Sequence, residues 1–217
     1  MAEIRIFESG QPSFLLVQMS DEDDLRGFDE EAEYLRAHAA RGFTIAAIPV
    51  NDWFADLSPW QAPPVFGSVP FGGGAAKTLE KLTDTVIPEL KLRHGYEKTV
   101  IGGYSLSALF ALWGGYNYEG FYGVAAASPS VWFEGWDEYI ASARMKCDNV
   151  YLSIGDREER AKNKVMARVG ERIRLTYDVL LSQGVSVKLE YNEGNHFKDA
   201  AVRTAKAFAD IMGRADD

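Results

Sequence analysis

A serine, a histidine and three carboxylates are the residues of this sequence whose types and order could do covalent chemistry. Ser105 sits in Gly103-Tyr104-Ser105-Leu106-Ser107, after the β-branched run Thr99-Val100-Ile101 and before apolar helix formers that continue to Trp113. That order, strand then sharp turn then helix, holds a hydroxyl clear of both elements. In a Gly-x-Ser-x-Gly elbow the flanking positions are small because strand and helix backbones pass close together. Gly103 fills the first small position, and Ser107 stands where the second glycine is usual. A serine hydroxyl is a weak nucleophile and needs a base within hydrogen-bond reach. Histidine suits, since it titrates near neutrality and a carboxylate can fix its tautomer and stabilise the imidazolium.

Of the three histidines, His38 falls late in an amphipathic helical pattern and His94 at a predicted helix C-terminus, where a cation favours the dipole. His196 follows Gly194-Asn195 in a loop and has no capping duty, so it is the candidate base. The candidate acids share one loop, Gly155-Asp156-Arg157-Glu158-Glu159. Asp156 has the shorter side chain nearer the preceding strand, Glu158 the longer reach, and Glu159 reads as part of a solvated patch. Between Asp156 and Glu158 the residues themselves do not choose.

Acyl attack also creates an oxyanion that needs preorganised N–H donors, each worth on the order of 3 kcal/mol. The Leu106 amide, directly after the nucleophile, is one. A second is expected from the turn after the 14–19 run, hence Ser20 or Asp21, with Asp21 preferred.

These groups need a scaffold. Runs at 4–7, 14–19, 43–50, 99–104, 123–127, 149–154 and 185–191 read as strands. The 14–19 and 43–50 runs are apolar enough to be buried on both faces. Helical patterns occupy 28–40, ended by Gly42, then 77–92 with an interruption near Pro88, 136–146, 161–183 capped by Gly184, and 198–212. Ser20 to Asp24 supplies N-cap chemistry and first-turn negative charge. Strands alternating with helices imply an α/β class with a mostly parallel sheet, whose ligands sit beyond the carboxyl ends of the strands. Ser105, the Asp156/Glu158 loop and His196 each follow a different strand.

Residues 51–74 break the pattern, rich in proline and glycine and carrying Trp53 and Trp60. A structureless loop this long is usually functional or mobile, and its aromatics argue against disorder. The two tryptophans either line an apolar substrate pocket or pin the loop to the body. Tyr104 and Trp132 read as packing residues. Gly72-Gly73-Gly74 lacks the Lys-Ser/Thr ending of a phosphate loop and reads as flexible.

At 217 residues, 47% hydrophobic and 25% charged, the chain suits one domain with a sizeable core. A net charge of −9 argues against nucleic acid or an anionic membrane surface as a partner. The charged N-terminus is unlike a signal peptide, and no apolar run approaches the ~20 residues of a membrane span. The single cysteine, Cys147, excludes an internal disulfide, fits a reducing cytoplasm, and reads as structural. No metal-ligand spacing or dinucleotide fingerprint is present, so no cofactor is expected.

At Gly103-Tyr104-Ser105-Leu106-Ser107, Gly155-x-x-Glu158 and Gly194-Asn195-His196-Phe197 the sequence resembles the α/β-hydrolase superfamily, more narrowly esterases akin to esterase D, feruloyl esterase and siderophore esterase domains. The order Ser, acid, His is that of this fold. The resemblance implies a single-domain α/β-hydrolase fold without an inserted cap, the 51–74 loop walling the pocket. It also implies Glu158 as the acid, since many such loops carry it three residues after the glycine. The expected activity is hydrolysis of a small carboxylic ester through an acyl-enzyme on Ser105, with His196 and Glu158 completing the triad. Two departures accompany it: Ser107 for glycine, and no His-Gly in the turn after residue 19. The alternatives are a non-catalytic binding protein that keeps the elbow for folding, or an acyltransferase using the same residues.

Overall fold

The long apolar runs become the inner strands of a seven-stranded sheet. The computed structural model describes residues 3–216, so Met1 and Ala2 of the charged N-terminus, and Asp217, lie outside it. Its strands in chain order are β1 (Arg5–Ser9), β2 (Phe14–Ser20), β3 (Phe43–Pro49), a separate small hairpin of β4 (Gln61–Ala62) and β5 (Phe71–Gly72), then β6 (Lys98–Tyr104), β7 (Gly123–Ala127), β8 (Asn149–Gly155) and β9 (Ser186–Asn192). The spatial order of the large sheet is β1-β3-β2-β6-β7-β8-β9, parallel throughout except for β1, which pairs antiparallel with β3 at one edge. Central strands β2 and β7 are buried along their whole length, as doubly covered parallel strands must be. Tyr104 pairs with Ala127, Ala127 with Ser153, and Gly155 with Asn192, so four strands end at one level. The residues that follow them therefore share one edge.

The helices are α1 (Glu22–His38), α2 (Trp53–Asp56), α3 (Ala75–Lys81), α4 (Ile87–Lys91), α5 (Ser105–Asn117), α6 (Trp136–Ser142), α7 (Val169–Ser182) and α8 (Ala200–Gly213). Alternation along β2 builds two cores. Leu15, Val17 and Met19 face α3 to α7, whereas Phe14 and Leu16 face α1 and α8. Helix α5 is apolar on every side and buried from Leu106 to Tyr116. No helix among the described residues is long and apolar enough to cross a membrane.

Several boundaries depart from the sequence expectation for identifiable reasons. Helix α1 starts at Glu22 rather than residue 28, because Asp21 accepts the Asp23 and Asp24 amides while Asp24 reciprocates in a capping box. It ends at His38 with Ala39 as its C-cap, not at Gly42, which instead packs so closely that a Cβ would lie 2.1 Å from the Gln11 carbonyl oxygen. Between α3 and α4 the chain widens into a π turn over Leu82–Val86, which admits Pro88, a residue with no N–H to give. Helix α6 stops at Ser142, where Gln183 takes over the Ala143 carbonyl and the Met145 amide. The expected 161–183 helix begins only at Val169. Upstream, Asn163 binds the Val165 and Met166 amides with its own carbonyl, a local alternative to helix.

The 51–74 segment is not structureless. Helix α2 and the β4–β5 hairpin are tied together by Ser58, whose hydroxyl donates to the Phe54 carbonyl and accepts from the Gly73 amide. The expected flexible glycines are closely packed instead: a Cβ on Gly72 or Gly74 would meet Ala55 at 2.8 or 2.7 Å, and one on Gly73 would meet Gln61 at 2.7 Å.

Candidate active site

Ser105 opens α5 directly from β6 with φ +56°, a left-handed conformation that costs an L-residue roughly 1–2 kcal/mol. The neighbours absorb this turn. Gly103 has no room for a side chain, since a Cβ would lie 2.2 Å from Ser107 Oγ. Ser107 itself is accommodated because its hydroxyl donates to the Met19 carbonyl on adjacent β2, at 2.7 Å. The missing second glycine is thus replaced by a side chain with a partner.

His196 Nε2 lies 3.0 Å from Ser105 Oγ, and His196 Nδ1 lies 2.8 Å from Glu158 Oε2. An ionised carboxylate only accepts, so Nδ1 carries the proton and the Nε2 lone pair faces the serine hydroxyl. Glu158 is buried. Burial by itself raises its pKa, but the His196 hydrogen bond and charge, the Gly155 amide and the Ser128 hydroxyl outweigh it and hold the carboxyl below its ordinary value. Its second oxygen, Oε1, accepts from Gly155 N–H at 2.7 Å, Ser128 at 2.8 Å and Arg203 at 3.3 Å.

Asp156, the other acid of the loop, turns away from the histidine ring: its Oδ1 accepts the Gly194 amide at 2.7 Å and so anchors the His196 loop. Glu159 pairs with Arg174 at the surface, as its solvated reading implies. His38 accepts a structural role against Tyr34, and His94 meets Glu8. Leu106 occupies the first turn of α5, where amides have no intrahelical partner. The Asp21 amide, by contrast, points to Asp24 Oδ2 at 3.3 Å. Trp60 donates to the Glu134 carbonyl and packs on Phe133 and Tyr139, so it pins the 51–74 segment down. Trp53 packs against the larger core. Cys147 is buried, and burial pushes its thiol up to about 12.

The sequence reading missed four supporting residues. Ser128 (φ +44°) steadies Glu158, and Ser130 lies with Oγ 3.3 Å from Ser105 Oγ while its amide donates to the Ser105 carbonyl. Arg203 is buried on α8 and binds Glu158 Oε1, Tyr104 Oη at 3.1 Å and the Glu193 carbonyl at 2.8 Å. Tyr104 Oη in turn donates to the His196 carbonyl at 2.8 Å. Small hydroxyls at the end of β7 were the only local signal for the serines. Arg203 lies in an ordinary helical pattern and gave none. Replacing it should be costly, since a buried carboxylate loses its cationic neighbour. Arg203→Met should lower stability by roughly 3 kcal/mol, and Tyr104→Phe by about 1 kcal/mol, both read from denaturant midpoints.

Comparison with solved structures gives the topology its context. The siderophore hydrolase EstA of Aspergillus nidulans superposes with a TM-score of 0.74 at 21% identity, covering 98% of this chain and 90% of that one. An IroE-like serine hydrolase of Shewanella oneidensis superposes at 0.77 with 15% identity, over 94% and 71% of the two chains. The chain has the α/β-hydrolase fold. The enterobactin esterase of Shigella flexneri shares this hydrolase fold at a TM-score of 0.72 and 15% identity, over 97% of this chain and 55% of that one. No protein-family model and no curated protein matches the sequence. Within the hydrolase fold Ser105, Glu158 and His196 follow β6, β8 and β9, at the carboxyl edge where ligands bind.

Proposed function

We propose that the protein is a serine hydrolase that cleaves a carboxylic ester of a small substrate through an acyl-enzyme. The observation that carries this reading is the 3.0 Å approach of His196 Nε2 to Ser105 Oγ, with Glu158 bonded behind the imidazole. A hydrolase-fold protein retaining the elbow only for folding has no need of that alignment. The fold neighbours are described as siderophore hydrolases, a serine hydrolase and an enterobactin esterase, which supports the same reading.

In this mechanism Ser105 Oγ attacks the acyl carbon while its proton passes to His196 Nε2. Glu158 stays ionised and stabilises the imidazolium. The Leu106 amide meets the oxyanion, and a second donor comes from the turn of Ser20 and Asp21. For Asp21 this requires its N–H to leave Asp24. Collapse expels the alcohol, which takes the proton from His196, and the acyl group remains on Ser105. Water then attacks that ester with His196 again as base, releasing the acid and restoring the serine.

Short p-nitrophenyl esters should give a burst of one p-nitrophenol per chain followed by slower turnover, and a fluorophosphonate should label Ser105 alone. Neither burst, turnover nor labelling across such a series would sink the proposal.

A further inference from the structure

On the face of the sheet opposite α5, a cavity of about 150 Å³ lies between α1, α8 and the carboxyl ends of β2 and β6. At roughly 30 Å³ per liquid water this is room for several waters or one short organic group. Its buried polar wall carries more acceptors than donors. Gln18 and Glu31 are 4% and 3% exposed, and Gln18 Nε2 donates to Glu31 Oε2 at 2.8 Å. That leaves Gln18 Oε1 and Glu31 Oε1 buried with no partner among the described residues. Asp24 adds a second carboxylate, Asp23 a third at the rim, and Thr204 spends its proton on the Ala200 carbonyl. Among the described residues no Lys, Arg or His lines the space. Buried acceptors without donors, and buried carboxylates without a cation, are both unfavourable. Consistent with that, burial raises Asp24 to about 7 and Glu31 to about 8.

We propose that this cavity binds a primary ammonium group. Three N–H donors meet three acceptors: Glu31 Oε1, Gln18 Oε1 and the Asp24 carboxylate. The alkyl stem meets the rest of the wall, which is Met19, Ala200, Ala201 and the Tyr104 ring. A hard divalent cation would need six or more oxygens, and no three His, Cys, Asp or Glu side chains among the described residues are grouped to hold a metal. Tyr104 walls the cavity and also bonds the His196 carbonyl, so the ammonium belongs either to a free alkylamine or to the end of a molecule held at Ser105.

Ethylammonium chloride tests the site directly, against tetramethylammonium chloride at equal ionic strength, a cation with no N–H. Ethylammonium alone should raise the melting temperature saturably. Its affinity should climb between about pH 6 and pH 9 as Glu31 and Asp24 ionise. The other titratable groups facing them are Asp21 and Asp23 from the start of α1 and Tyr104 from β6. Glu31→Gln and Asp24→Asn should each weaken binding roughly tenfold or more. Equal shifts from both salts in the unmodified protein, or unchanged affinity in both variants, would overturn the assignment. Melting needs no turnover, so the result stands apart from the esterase proposal. Competitive inhibition of p-nitrophenyl ester hydrolysis by ethylammonium marks a substrate-borne ammonium, and stabilisation without inhibition marks a free amine.

Discussion

Ser105→Ala should lower turnover of short p-nitrophenyl esters by about 10⁶-fold and abolish fluorophosphonate labelling. The size of the effect follows from the site's arrangement. His196 and Glu158 are aligned on one oxygen, and without it they have nothing to deprotonate. Residual catalysis would rest on binding and the oxyanion donors alone. The fold should not suffer. Alanine at φ +56° is strained much as serine is, and the side-chain partners lost are His196 Nε2 at 3.0 Å and Ser130 Oγ at 3.3 Å. A Ser105→Ala protein with wild-type melting and turnover within tenfold of the parent would refute Ser105 as nucleophile.

Glu158→Gln should cost about 10⁴-fold in kcat, because an amide can donate to Nδ1 and stabilise the wrong imidazole tautomer. Asp156→Asn should change kcat little: the Asn carbonyl can still accept the Gly194 amide that Asp156 now holds. The reverse outcome, with Asp156→Asn crippled and Glu158→Gln active, would move the acid role to Asp156. The two proteins should also differ in acid stability. The folded pKa of Glu158 lies below its ordinary 4.5 despite burial, owing to His196, Gly155 and Ser128. A depressed pKa stabilises the fold above the unfolded value, and that stability is lost as pH falls through the folded one. Below about pH 4.5, Glu158→Gln should therefore lose stability less steeply than the parent.

Local pattern was enough for the strands and the elbow. The β-branched run into Gly103 and the apolar run out of Ser105 can form little else, and β2 and β3 announced their double burial by being apolar except for Gln18, Ser20 and Thr44. Boundaries failed where side chains compete with the backbone. Asp21 and Asp24 drew α1 six residues earlier, and Asn163 held residues before Val169 out of α7. The 51–74 segment lacked periodicity because its order comes from Ser58 and from glycines pressed on Ala55 and Gln61, contacts with no repeating period.

The sequence by itself determined the α/β class and the order of a serine, an acid loop and a histidine after three separate strands, since both depend on patterns within a few residues. Only the tertiary structure decided which carboxylate meets His196. Asp156 and Glu158 are two residues apart in one loop, and their directions depend on the Gly194 amide, which takes Asp156, and on Arg203 from α8, which helps hold Glu158. The same holds for Ser107, whose partner is a carbonyl on a neighbouring strand, and for the carboxyl-lined cavity, which unites residues from Gln18 to Thr204. Their energies are set by burial and by partners distant in the chain, and neither is written in local spacing.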